Sequence, residues 1–197
     1  MKYKKVMQGA LVLTGFAFGA SALAATPSAS MLGNSCAGCH GPNGNTEGPA
    51  TPGIAGISSE YFVDVMMDYK ADERPGTIMN RIAKGYTDEE IELMASYFTA
   101  QEYVPLEQEY NASAVRLGEM LHDRSCEKCH EDGGTFAEDS AILAGQPKLY
   151  LQWSMADFQA GVREMPKKMK RRMDEVEKVK GDEGFNALVD YYASQGK

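Results

Sequence analysis

Histidine is scarce in this chain: there are three among 197 residues, beside four cysteines and a single tryptophan. Positive charge is also in short supply, with 20 Lys and Arg against 28 Asp and Glu and a net charge of −8. Phosphate attraction supplies most nucleic-acid affinity, so an acidic chain of this kind excludes nucleic acid as a partner. No period-two apolar run is long enough to be a strand, which points to an all-α fold. Beyond the first 24 residues no apolar run approaches the ~20 residues a membrane helix needs. The remainder, 43% hydrophobic and 24% charged, is a globular composition.

The N-terminus reads as an address. Lys2, Lys4 and Lys5 precede the apolar run Ala10 to Phe18, and Ala22-Leu23-Ala24 supplies a small-residue exit. A charged start, a short apolar core and small residues at the end define a secretory signal peptide over residues 1–24. Its removal takes away three lysines and no acid, moving the net charge from −8 to −11. The expected location is the periplasm of a Gram-negative bacterium, with no membrane span once the signal is gone.

The mature chain repeats itself. Ser35-Cys36-Ala37-Gly38-Cys39-His40 returns as Ser125-Cys126-Glu127-Lys128-Cys129-His130, 90 positions on. Ile54-Ala55-Gly56 answers to Leu143-Ala144-Gly145 at an offset of 89, and Tyr97-Phe98 to Tyr191-Tyr192 at 94. Ordered matches at a nearly constant offset indicate a duplicated domain. The expected units are residues 25–104 and 105–197, with the charged run Asp174 to Lys180 as a late insertion in the second. Helices are predicted over Ser59 to Lys70, after the Thr87 cap, and over Ala114 to Arg124, Pro147 to Ala160, Lys168 to Lys178 and Asp182 to Ser194. Each unit is small for a core to stabilise alone, and a bulky apolar cofactor would complete it.

The two Cys-x-x-Cys-His motifs use every cysteine in the chain. This spacing is the attachment site of a c-type haem. Two thiols one helical turn apart reach the two vinyl groups on one porphyrin edge, and the adjacent histidine is held beneath the iron. Competing readings are weaker. A zinc site would have to join pairs separated by 87 positions, from Cys39 to Cys126. A thioredoxin-like pair needs a βαβ context, and ordinary disulfides leave both histidines unexplained. Two covalent haems are therefore expected, through Cys36 and Cys39 and through Cys126 and Cys129, with His40 and His130 as proximal ligands. His122 cannot serve both irons and reads as a surface or outer-sphere residue.

Sixth ligands then fall to methionine, whose thioether raises the potential of an electron-transfer haem. Met79, after the Pro75-Gly76 turn, is the choice in the first unit. In the second, Met169 is preferred, with Met165 and Met173 as alternatives because the insertion disturbs the count. A backbone carbonyl near Pro52 is expected to orient His40. Ala141 stands at that place in the second unit, and the expectation is not extended there. Tyr61, Tyr69, Tyr150 and Trp153 are propionate-bonding or core residues. The basic run Lys167 to Arg172 is a solvated face or a docking site for an acidic partner.

On these motifs the chain resembles the class I cytochromes c, in the tandem dihaem arrangement. The stretches Thr77 to Tyr86, Leu121-His122-Asp123, Cys126 to His130 and Ile142 to Gln146 resemble the haem subunits of the flavocytochrome c sulfide dehydrogenases. That resemblance implies an FAD flavoprotein partner in a heterodimer, relay of electrons to an external acceptor, and no catalytic residues in this chain. The alternative is a free dihaem carrier feeding a terminal oxidase or another reductase.

Overall fold

The computed structural model describes residues 26–196, and the predicted export segment 1–24 lies outside them. Among the described residues the regular structure is helical, with one isolated bridge between Glu131 and Phe136. The first lobe holds α1 (Ala29–Asn34), α2 (Ala37–His40), α3 (Ser59–Lys70), α4 (Met79–Ala83) and α5 (Asp88–Thr99). The second holds α6 (Ala112–Ser125), α7 (Lys148–Gln159) and α8 (Lys167–Ala193).

Local chemistry sets these boundaries. The Ser58 hydroxyl accepts from Tyr61 N at 3.2 Å and opens α3. Thr87 and Glu90 form a reciprocal capping box at the start of α5. Asn111 caps α6 by accepting from Ser113 N at 3.1 Å. The long α8 breaks at Gly181, whose φ of 52° and ψ of −142° are not helical. It therefore runs as the two helices that the sequence predicts, joined at one glycine.

Each lobe has its own core. Leu32, Phe62, Met66, Ala83, Ile91, Met94, Ala95 and Phe98 fill the first, and α1 and α3 both pack on α5. Leu121, Leu151, Met173, Val176, Phe185, Leu188, Val189, Tyr191 and Tyr192 fill the second, where α6 crosses α8. Gly118 lies at that crossing, and a methyl group there would overlap the Ala187 carbonyl oxygen.

The loops repeat to the level of single hydrogen bonds. Gly44, with φ of 82°, offers its carbonyl to the Ile54 and Ala55 amides at 2.7 and 3.1 Å. Gly134, with φ of 91°, does the same for Leu143 and Ala144 at 2.9 and 3.0 Å. The Gly56 amide donates to Phe98 O at 2.9 Å, and Gly145 to Tyr192 O at 2.8 Å.

The lobes meet through buried polar contacts. The Gln146 side chain accepts from Gly53 N at 2.8 Å and donates to Gly53 O at 2.9 Å. Tyr103 donates to Ala144 O at 2.9 Å. Arg74 of the first lobe lies beside Tyr61, Tyr69 and, across the junction, Tyr150. Arg163, its counterpart, stacks 4.2 Å over the Phe158 ring. Both arginines line one small polar cavity with Asp68, Glu73 and Glu164.

Candidate functional site

The two attachment motifs sit on equivalent turns. Cys36 precedes α2 and accepts on its carbonyl from the Cys39 and His40 amides at 3.2 and 2.9 Å. Cys126 follows α6 and accepts from Cys129 and His130 at 3.1 and 3.0 Å. Each turn brings its two sulfurs and one imidazole together. Cys39 and Cys129 are exposed, and Cys36 and Cys126 are half-buried. Burial pushes the Cys126 thiol up to about 11 and raises that of Cys36 as well.

The histidines are oriented identically. His40 Nδ1 donates to Pro52 O at 2.8 Å, and His130 Nδ1 donates to Ala141 O at 2.8 Å. The second bond departs from the sequence reading, which stopped at Pro52. The acceptor is a backbone carbonyl, so the change of side chain at that place is immaterial. In both rings Nδ1 is thereby engaged, leaving Nε2 as the ligating nitrogen. Burial lowers the pKa of both imidazoles, against the opposing pull of the carbonyl bond, in the direction that favours the neutral ring iron ligation uses. The donor set thus fits haem at both motifs.

Met79 opens α4, half-buried against the same core as Cys36. Met165 and Met169 are both half-buried against the core that Cys126 borders. Met173 is 8% exposed and forms part of that core itself. Trp153 is 56% exposed, away from a packing role. In the basic run, Lys170 pairs with Asp174 and Arg172 with Glu175, so it is partly neutralised on its own helix.

The sequence reading left His122 as a surface or an outer-sphere residue, and the structure removes the first alternative, because His122 is fully buried. Its Nδ1 meets the Tyr192 hydroxyl at 2.9 Å and its Nε2 meets Glu127 Oε2 at 2.5 Å. Glu127 also accepts from the Asp132 and Gly133 amides at 3.0 and 3.1 Å. The signal was present in the duplication: at the same offsets the first unit has Leu32, Ala37 and Phe98. Gln146, another buried polar residue with a structural task, was singled out in the sequence only as the end of the Ile142 to Gln146 stretch.

An all-α fold of two tandem lobes, each with a thiol pair and an oriented imidazole, defines a protein that carries two covalently bound c-type haems. The sequence profile of cytochrome c matches residues 28–100. Cytochrome c-554(548) of Halomonas halodenitrificans is 33% identical over 70 residues, 34% of this chain and 84% of that one. The chain belongs to the cytochrome c family, and it is an electron carrier.

Two further relatives bear on its role. The cytochrome subunit of sulfide dehydrogenase from Chlorobaculum tepidum is 50% identical over 68 residues, 34% of this chain. That match spans 61% of the relative's own length. Cytochrome c4 of Azotobacter vinelandii is 29% identical over 172 residues, 78% of this chain and 80% of that one. In fold, reduced recombinant cytochrome c4 from Pseudomonas stutzeri superposes with a TM-score of 0.70 at 24% identity, covering 86% of this chain and all of that one. Among the described residues no helix is long and apolar enough to cross a membrane.

Proposed function

We propose that this chain is the haem subunit of a sulfide-oxidising complex, taking electrons from an FAD flavoprotein in a heterodimer and passing them to an external acceptor. The observation that carries this reading is the 50% identity to a sulfide dehydrogenase cytochrome subunit, well above the 29% to cytochrome c4. Export of the chain by the 1–24 signal places the complex in the periplasm. The units 25–104 and 105–197 hold one haem each.

Cys36 and Cys39 tether the first group and Cys126 and Cys129 the second. His40 and His130 ligate from one side. Met79 and Met169 ligate from the other, and a register between the lobes supports this pair. The Asp68 carbonyl accepts from the Glu73 and Arg74 amides, and the Asp157 carbonyl accepts from Val162 and Arg163 in the same way. Counted from those two arginines, Met79 is five residues on and Met169 six, whereas Met165 is two and Met173 ten. When bound, the haems supply reversible one-electron iron chemistry. The residues of the chain bind, orient and shield them, and a full set of axial ligands leaves no position for substrate. The chain therefore contributes no catalytic residue of its own.

Purification of the native protein from its producing cells tests the reading. The expected result is a yellow one-to-one complex whose haems are reduced by sulfide only while the flavoprotein is present. A second reading, a free carrier to an oxidase or another reductase, draws on the likeness to cytochrome c4 along both lobes. Isolation of the chain alone, with no flavin and no sulfide-dependent reduction, would establish that reading instead.

A further inference from the structure

One peptide group of the first lobe is held at both ends. The carbonyl of the Pro52–Gly53 peptide accepts from His40 Nδ1 at 2.8 Å, and the N–H of the same peptide donates to Gln146 Oε1 of the second lobe at 2.8 Å. Both directions are fixed, because a carbonyl oxygen only accepts and a backbone N–H only donates. Gln146 also donates from Nε2 to Gly53 O at 2.9 Å, so its side chain pairs with both polar groups of Gly53. Gln146 is itself braced: Gln108 donates from Nε2 to Gln146 O at 2.8 Å and accepts from Lys148 N at 2.7 Å. Gly53 is buried and Gln146 is 4% exposed, so these dipoles act in a medium of low dielectric.

The arrangement runs one way. His130 Nδ1 donates to the Ala141 carbonyl at the same 2.8 Å. Among the described residues, however, the Ile142 N–H at the other end of that peptide has no protein acceptor. Ser140 Oγ lies 3.3 Å from His130 Nδ1 and donates to Cys129 O within its own lobe. Ile57 stands in the first unit where Gln146 stands in the second, at the offset of 89, so no side-chain amide reaches back.

We propose that Gln146 is a positioning residue for the haem of the opposite lobe, which acts through the Pro52–Gly53 peptide to strengthen the acceptor of His40 and so holds the potential of the first haem down. Hydrogen bonds in a chain polarise one another, and a bond accepted from the Gly53 N–H draws more negative charge onto Pro52 O. A stronger acceptor at Nδ1 makes the imidazole a better donor at Nε2, and a better donor favours the oxidised iron. The second lobe thereby sets the potential of the first, and Ile57 gives the first lobe no matching hold on the second. The inference rests on attachment of the first haem at Cys36 and Cys39 and on its ligation by His40.

Spectroelectrochemical titration of the purified dihaem protein tests it, with the two waves assigned to their lobes by paramagnetic NMR. In Gln146→Met, similar in length but without the amide, the midpoint of the first haem is expected to rise while the second stays in place. Gln146→Glu keeps an acceptor oxygen, and its first midpoint is expected at or below the wild-type value. Tyr103→Phe removes a different bond at the same junction, the one to Ala144 O, and is expected to leave both midpoints where they are. The proposal is overturned by a first midpoint that does not rise in Gln146→Met, a rise shared equally by both haems, a rise in Gln146→Glu, or an equal rise in Tyr103→Phe. The wild type gives a reading that needs no variant. In the reduced protein the Nδ1–H proton of His40 is expected to resonate downfield of that of His130, and coincident signals or the reverse order also overturn the proposal. Intact mass is read on the same samples. A wild-type protein carrying one haem overturns the site assignment beneath the proposal, a failure distinct from two haems with unmoved potentials.

Discussion

Leu32 and Phe98 close the first lobe with hydrocarbon, whereas the second lobe places a buried imidazole and a phenol at the same two positions. The backbone bonds of the attachment loops are shared between them. Gly44 and Gly134 offer their carbonyls in the same way, and His40 and His130 donate to carbonyls at the same distance. The difference teaches where a duplicated fold is free to change. The backbone bonds that shape the attachment loop cannot be altered one at a time without leaving a buried polar group unpaired. Side chains behind the loop can be exchanged, provided a polar newcomer brings its own partners. His122 arrived with Tyr192 and Glu127, and among the described residues no buried side-chain polar atom is left without a partner.

The comparison is broken most severely at the thiols. Cys36→Ser with Cys39→Ser is expected to remove one haem and unfold the first lobe, and Cys126→Ser with Cys129→Ser to do the same to the second. Intact mass and circular dichroism read both outcomes. Loss of both haems from either variant would mean that the lobes are not independent units.

Methionine substitutions come next. Met79→Ala and Met169→Ala are each expected to open one iron to carbon monoxide in the reduced protein. Met173→Ala is expected to open neither iron and to destabilise the second lobe by about 3 kcal/mol, as a buried methionine truncated in a core. A Met169→Ala protein that stays inert to carbon monoxide would move the assignment to Met165.

The two loop glycines test the equivalence of the backbones. Gly44→Ala and Gly134→Ala each force a side chain into positive φ, and each new methyl meets an aromatic ring, Phe98 in one lobe and Tyr192 in the other. A loss of about 2 kcal/mol is expected in each, seen as equal shifts of the two denaturant midpoints. Unequal losses would show that the lobes depend differently on the same turn.

The smallest effect is a difference in acid stability. The His122 N–H and the Gly133 and Asp132 amides hold the Glu127 carboxyl below its ordinary range. A depressed carboxyl contributes stability above its unfolded pKa and loses it as pH falls through the folded value. The second lobe is therefore expected to lose more stability than the first on acidification through the carboxylate range. Glu127→Gln is expected to flatten that difference in lobe-resolved unfolding curves.

Much of this architecture was legible in the order of residues. The α3 helix begins and ends where its apolar spacing places it, and the Thr87 capping box is present. The kink at Gly181 separates the two helices that the pattern gives on either side of the charged insertion. Two features were less legible for a physical reason. The acceptor for His130 is a main-chain carbonyl, which every residue carries, so the identity of Ala141 held no information about it. The burial of His122 depends on partners 5 and 70 positions away, and local pattern does not reveal them.

The sequence by itself determined the haem chemistry, because the tethering reaction needs two thiols and an imidazole within one turn, and local spacing alone can supply that. It also determined the duplication and the helical class, through an offset and a period. Tertiary structure alone decided which polar groups are taken out of water together. It joined the lobes through Gln146 and Gly53, and it turned an apparently spare histidine into the centre of a buried chain. Burial and partner choice are sums over contacts distant in sequence, and they acquire values only when the chain is closed.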